Sequence, residues 1–227
     1  MELKVIARIR TDFDEKFGIP RQSGLAPSLT GRIIFEPEYR SRDALRELDG
    51  FGWLWLIWGF SKVPEREEWE PMVRPPRLGG NRRVGVFASR SPFRPNRLGL
   101  SSVKLEKIVD NTPQGPVLIV SGVDMLDGTP IYDIKPYHPQ ADCHPDAAGG
   151  FIESYKDYRL QVQFPEELLR RIPAEKREAL CQVLAEDPRP GYQKDASRLY
   201  GLHFAGYNIR FRVEEGILKV VDVEENL

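Results

Sequence analysis

The sequence predicts a mainly β protein: a large β domain over residues 1–145 followed by a small α+β domain over residues 146–227. Three observations carry this. Apolar and polar residues alternate at Leu3–Ile9 and Leu100–Ile108, the period of half-buried strands. The run FGWLWLIWGF (51–60) is aromatic and branched without a break, which suits a strand buried on both faces or lining a barrel. A Pro-, Gly- and Ala-rich stretch, 139–150, then separates these strands from two longer helical patterns.

Taken in order, Leu3–Ile9 opens the β domain and a Gly/Pro-punctuated loop follows from Phe13 to Gly31. Ile33–Phe35 reads as a short strand and Ser41–Leu48 as a short helix with Ala44, Leu45 and Leu48 on one face. After the aromatic strand, Val84–Ala88, Leu100–Ile108, Val117–Ser121 and Ile131–Ile134 read as strands, with turns at Asn111–Gly115 and Asp127–Gly128. In the second domain a strand is expected at Tyr158–Phe164. Helices are expected at Glu166–Ile172 and Ala174–Glu186, broken at Pro173, and a hairpin at Tyr207–Val213 with Ile217–Val221.

A chain of 227 residues is long enough to bury a core without staples. Its two cysteines form no disulfide framework, which indicates a reducing compartment, and no apolar run is long enough for a bilayer, so a soluble cytoplasmic protein is expected. The formal net charge is -1, so an anionic partner must be held locally. The place for it is 74–97, RPPRLGGNRRVGVFASRSPFRPNR, with seven arginines (Arg74, Arg77, Arg82, Arg83, Arg90, Arg94, Arg97) and no acid. Four prolines and three glycines shape its backbone, and the planar guanidinium fork suits phosphate and carboxylate. The alternative is a solvated face neutralised by Glu65, Glu67, Glu68 and Glu70; a stiffened backbone favours recognition.

A second cluster, GVDMLDGTPIYDIKPYHPQAD, gathers Asp124, Asp127, Asp133, Lys135, Tyr137 and His138 around one short strand. It reads as a site; the alternative is aspartates that cap turns. The tryptophans of 51–60 offer stacking surfaces for a base, although such runs more commonly belong to the core. No GxGxxG, Walker loop or GxSxG elbow is present, and His138, His144, His203 and the cysteines have no metal-ligand spacing.

The stretch RPPRLGGNRRVGVFASRSPFRPNRLGLS closely resembles the signature of the TsaA-like (UPF0066) family, whose bacterial members are tRNA adenine-N6 methyltransferases of the TrmO type. KFGIPRQSGL, DMLDGTPIYDIKPY and LCQVLAEDPRPGY agree with it, so the resemblance spans residues 16 to 192. It implies a non-Rossmann β-barrel that binds S-adenosylmethionine, a small C-terminal domain, and a homodimer whose active site draws on both subunits. The implied reaction methylates N6 of threonylcarbamoyl-adenosine at tRNA position 37. Motif matching implies cofactor contacts at Pro20, Arg21, Gln22, Ser61, Lys62, Arg90, Leu100, Asp124, Met125, Leu126 and Asp127. Asp133, Lys135 and Tyr137 are the catalytic candidates. Arg82, Arg83, Arg94, Arg189 and Tyr192 are the RNA candidates, and Arg90 and Arg94 suit either the methionine carboxylate or tRNA phosphate. Two positions depart from the family pattern. Ser61 stands where relatives carry histidine, which leaves a backbone contact, and Arg97 stands where proline is common after Asn96. The rival functions are a regulatory S-adenosylmethionine-binding module and a methyltransferase for a small molecule or protein.

Overall fold

The computed structural model describes residues 2–63, 68–75, 82–155, 157–191 and 195–225. Six antiparallel strands close a barrel: β1 (Ala7–Arg10), β2 (Thr30–Phe35), β3 (Trp53–Gly59), β6 (Leu98–Val109), β7 (Val117–Ser121) and β8 (Pro130–Pro136). Their order around the wall is β1-β2-β7-β6-β3-β8. Alternation sorts each strand across that wall. Leu54, Leu56 and Trp58 of β3 are buried inside, as are Val103 and Leu105 of β6, whereas Trp53 and Leu100 face out. The aromatic run therefore lines a barrel and is buried on one face only.

A small two-stranded sheet pairs β4 (Met72–Val73) with β5 (Val84–Gly85), just before and within the arginine stretch. The expected strand Val84–Ala88 stops after Gly85, and Val86–Ala88 turns into a 3-10 segment. The helix expected at Ser41–Leu48 is instead two short 3-10 turns, Arg42–Leu45 and Leu48–Gly50. Arg46 leaves the first turn with extended ψ, and Glu47 sits at φ 67, a left-handed conformation that an α-helix cannot continue through. The first strand is shorter than the alternation from Leu3 indicates, with ladder pairing only from Ala7.

Beyond the barrel, a short helix α1 (Pro139–Asp142) leads to a four-stranded sheet in the order β10-β11-β12-β9. Its strands are β9 (Gln161–Gln163), β10 (Tyr200–Phe204), β11 (Tyr207–Glu214) and β12 (Ile217–Glu225), and the helices beside it are α2 (Glu166–Leu169) and α3 (Ala174–Ala185). Strand β10 was not expected; it pairs with β11 from Tyr200↔Phe211 to Phe204↔Tyr207. Helix α3 turns Ala179, Leu180, Val183 and Leu184 inward.

The core runs from the barrel into this second sheet as one cluster. Phe13, where the chain leaves β1, meets Phe204 edge-on at 5.5 Å, and Ala205 N–H donates to Asp12 O at 2.9 Å. Lys176 of α3 adds an ion pair to Asp12. Among the described residues no helix is long and apolar enough to cross a membrane.

Candidate functional site at the barrel end

Three loops far apart in sequence meet at one end of the barrel. The loop 20–24 lies against the segment leaving β7, with Gly24 N–H donating to Gly122 O at 2.9 Å. Gly122 has φ 74, and a Cβ there would stand 3.3 Å from the Gly24 backbone, so this approach needs glycine. The Arg90 guanidinium of the arginine loop donates to Gln22 Oε1. Gln22 in turn donates to Arg21 O at 2.6 Å.

Asp124 lies where these loops converge. Its Oδ1 accepts the Ser101 hydroxyl at 2.6 Å, and Ser101 Oγ accepts the Trp58 indole N–H at 2.9 Å. Burial pushes the Asp124 carboxyl up to about 6; the Ser101 hydroxyl, its own and Ser23 backbone amides and the Arg90 charge pull the other way and are outweighed. Ser101 is 1 % exposed. The acid is therefore desolvated, anchored from inside the barrel, and faced by one arginine.

The remaining cofactor candidates differ in what their side chains do. Met125 is core and Leu126 nearly so. Asp127 is taken by the start of the chain: Oδ1 accepts Thr11 N–H at 3.0 Å, and Oδ2 pairs with Arg10 at 2.9 Å. Lys62 reaches across to Asp14 O at 3.0 Å, while Lys16 bonds Lys62 O, so the Ser61–Lys62 turn is fastened to the loop after β1. Pro20 stands buried at the head of its loop, and Leu100 is 52 % exposed on the outer face.

The catalytic candidates share that outer face. Asp133 pairs across β8–β3 with Ile57, which pairs across β3–β6 with Leu100. Lys135 holds the Asp133 carboxylate at 2.8 Å, and the Ile134 amide reaches its other oxygen. Tyr137 packs on Trp55 with ring centroids 5.5 Å apart, and Trp55 Nε1–H donates to Asp142 at 2.8 Å. Desolvation, with Cys143 and Asp142 nearby, pushes the Tyr137 phenol up, so it is a proton donor rather than a base. Asp133 thus lies on the outer face of the wall, whereas Asp124 is anchored at the barrel end by the inward-facing Ser101.

Of the RNA candidates, Arg82 and Arg83 are exposed and have no hydrogen bond or ion pair among the described residues. Arg94 is turned into its own loop, donating to Val86 O at 3.0 Å and Ser89 O at 2.6 Å, with its guanidinium over Phe87. Arg189 is 12 % exposed at the side chain and forks onto Asp187 at 2.8 and 3.0 Å. Tyr158 hydroxyl donates to the same carboxylate at 2.8 Å. The Arg189 carbonyl accepts the Arg21 guanidinium at 3.1 Å, which joins the second domain to the 20–22 loop. Tyr192 and Arg77 lie outside the described residues.

Residue-by-residue reading of the sequence passed over Gly99 and Ser101, and took Trp58 only as one of a run of tryptophans for stacking or core. Ser101 carried a signal: it shares the inward phase of Val103 and Leu105, a polar residue on an apolar stripe.

A closed antiparallel barrel with a desolvated carboxylate and an arginine at its mouth defines a β-barrel protein with an appended α+β unit. The chain belongs to the tRNA-methyltransferase O family: residues 8–143 match its N-terminal domain and residues 157–226 its C-terminal domain. It is 38% identical to a tRNA (adenine(37)-N6)-methyltransferase of Escherichia coli K12, over 98% of this chain and 97% of that one. It is 39% identical to a putative S-adenosylmethionine-dependent methyltransferase of Pseudomonas aeruginosa, over 96% and 95%. A crystal structure of TrmO from Pseudomonas aeruginosa superimposes with TM-score 0.76 at 31% identity, covering 99% of this chain and 98% of that one.

Proposed function

We propose that the chain is a cytoplasmic S-adenosylmethionine-dependent methyltransferase acting on N6 of threonylcarbamoyl-adenosine at tRNA position 37. The observation that carries this is the convergence of the 20–24, 89–94 and 122–127 loops on Asp124, in a chain matching both domains of the family. The donor set fits the cofactor. Asp124 offers a counter-charge for a sulfonium and an acceptor for ribose hydroxyls, and the Arg90 side a cation for the methionine carboxylate. Pro20 to Gln22, Ser61, Lys62, Leu100 and the 124–127 turn complete its contacts. When bound, S-adenosylmethionine supplies the methyl group as an electrophile.

The chain's own part is positioning and proton handling. In threonylcarbamoyl-adenosine N6 is acylated, which makes its proton more acidic. Asp133 accepts that proton, Lys135 holds the carboxylate in place, and Tyr137 orients the base. Positioning supplies most of the acceleration, and a general base adds about 10²–10⁴-fold. Arg82 and Arg83 meet tRNA phosphates. Arg94 and Arg189, whose guanidinium groups have protein partners, contribute through the loops they shape, with Tyr192 as the stacking group.

The anchoring of Asp124 at the barrel end, with Asp133 and Leu100 together on the outer wall, supports a homodimer in which the outer face of one subunit meets the cofactor loops of the other. The test is transfer of labelled methyl from S-adenosylmethionine to tRNA bearing or lacking the threonylcarbamoyl group. Label only in the modified tRNA supports the reading, and no label in either refutes it. In the same assay, a mixture of Asp124→Asn and Asp133→Asn chains regains activity if sites are shared between subunits; a mixture as inactive as its parents refutes sharing.

A further inference from the structure

The buried hydrogen-bond chain from Trp58 through Ser101 to Asp124 joins β3, β6 and the segment after β7, and its direction is dictated by chemistry. An indole N–H only donates. Ser101 Oγ is therefore the acceptor of the first bond (2.9 Å), and its one hydrogen is committed to Asp124 Oδ1 (2.6 Å). A hydroxyl turned the other way would set two hydrogens against each other. The chain is also sterically locked. Trp58 is 7 % exposed, packs on Phe60 at 4.4 Å, and lies over Gly99, its cross-strand partner. A Cβ on Gly99 would stand 2.3 Å from the indole, so only glycine lets the ring lie there.

We propose that Trp58 and Ser101 are positioning residues for the cofactor, aiming the Asp124 carboxylate at the bound sulfonium and ribose. This rests on the assignment of Asp124 to the cofactor site. Packing alone does not explain the arrangement. Valine would fill the Ser101 position on the apolar stripe of β6, and a core has no use for a desolvated acid at its rim. The other groups acting on that acid are the amides of Ser23 and of Asp124 itself, and Arg90, the one charge among them. Arg90 is itself held by Gln22. The carboxylate thus has a fixed donor behind it and a fixed cation before it.

The test uses the full chain labelled with ¹⁵N-tryptophan, free of cofactor, with the Trp58 indole signal assigned through Trp58→Phe. On titration from pH 4.5 to 8 that signal moves with a midpoint near 6 in the parent and in Ser101→Thr, and is flat in Ser101→Ala and Asp124→Asn. By calorimetry at pH 7, Ser101→Ala weakens S-adenosylmethionine binding about tenfold, the order of one charge-assisted hydrogen bond. Its acid loss of binding moves to higher pH, because the ionised form has lost a donor. Ser101→Thr restores both, and Trp58→Phe, which frees the hydroxyl to turn, falls between. Parent-like affinity and pH midpoint in Ser101→Ala, with Asp124→Asn impaired, overturn the relay alone. Parent-like binding in Asp124→Asn overturns the cofactor assignment beneath it. Should Ser101→Ala fail to fold, parent-like values in Trp58→Phe overturn the relay.

Discussion

Gly99→Ala tests the packing on which the site stands. The added Cβ meets three atoms of the Trp58 indole at 2.3, 2.4 and 2.6 Å. Ordinary contact begins near 3.4 Å, so the ring must withdraw by about 1 Å, and it is rigid, buried and backed by Phe60. Overpacking of this kind costs about 1–3 kcal/mol. Withdrawal also stretches the 2.9 Å bond to Ser101, worth about 1 kcal/mol when both groups are buried. The sum, about 2–4 kcal/mol, corresponds to a fall in melting temperature of roughly 4–16 °C at this chain length. Urea and thermal unfolding followed by near-ultraviolet circular dichroism measure it, and cofactor affinity falls with it. A melting temperature within 1 °C of the parent, with the indole signals unmoved, refutes the reasoning.

Asp124→Asn has the opposite effect on stability. The folded-state acidity of Asp124 lies near 6 against an unfolded value near 4, so the folded state binds the extra proton between those values and stability falls as pH rises through them. Removing the charge is expected to stabilise the apoprotein by about 1–2 kcal/mol above pH 6 while weakening the cofactor; equal stabilisation at pH 4 refutes it. Lys176→Ala leaves the Asp12 carboxylate, 15 % exposed, without its ion-pair partner where the second sheet docks, and is expected to cost about 1–3 kcal/mol. No change in urea midpoint refutes that. Arg82→Ala and Arg83→Ala should each weaken tRNA binding and reduce its salt-dependence slope by about 1, leaving cofactor affinity alone. An unchanged slope removes them from the phosphate contacts.

Much of this was legible in the chain because it was written as two-residue alternation of apolar and polar side chains. Val117–Ser121 emerged with the expected bounds, and Leu100–Ile108 lies within a strand that runs on two residues before and one after. Where the signal was composition without a conformational constraint, it failed. Ser41–Leu48 has helical spacing, but a left-handed Glu47 divides it. Tyr200–Phe204 lacks an independent strand signal and is held by pairing with β11. The site shows the same division. Asp124 and Arg90 stood out in stretches rich in turn residues and charge, and Gln22 was named by motif matching; the structure brings Arg90 and Gln22 into contact. Trp58 read as core and Ser101 as a polar break in an apolar stripe, until strand register made them diagonal neighbours across β3 and β6.

Arg21 grips the main chain of residue 189, not its side chain. A carbonyl is supplied by every amino acid, so the contact itself places no demand on what stands at 189. The demand comes from Asp187, whose φ of 53 and fork with Arg189 hold that carbonyl in place. Tolerance to substitution is therefore lopsided. In a saturation library Arg21 is expected to be intolerant whatever stands elsewhere, while 187 and 189 behave as a couple. Single replacements at either are harmful, and paired replacements that rebuild the turn by other means are accepted.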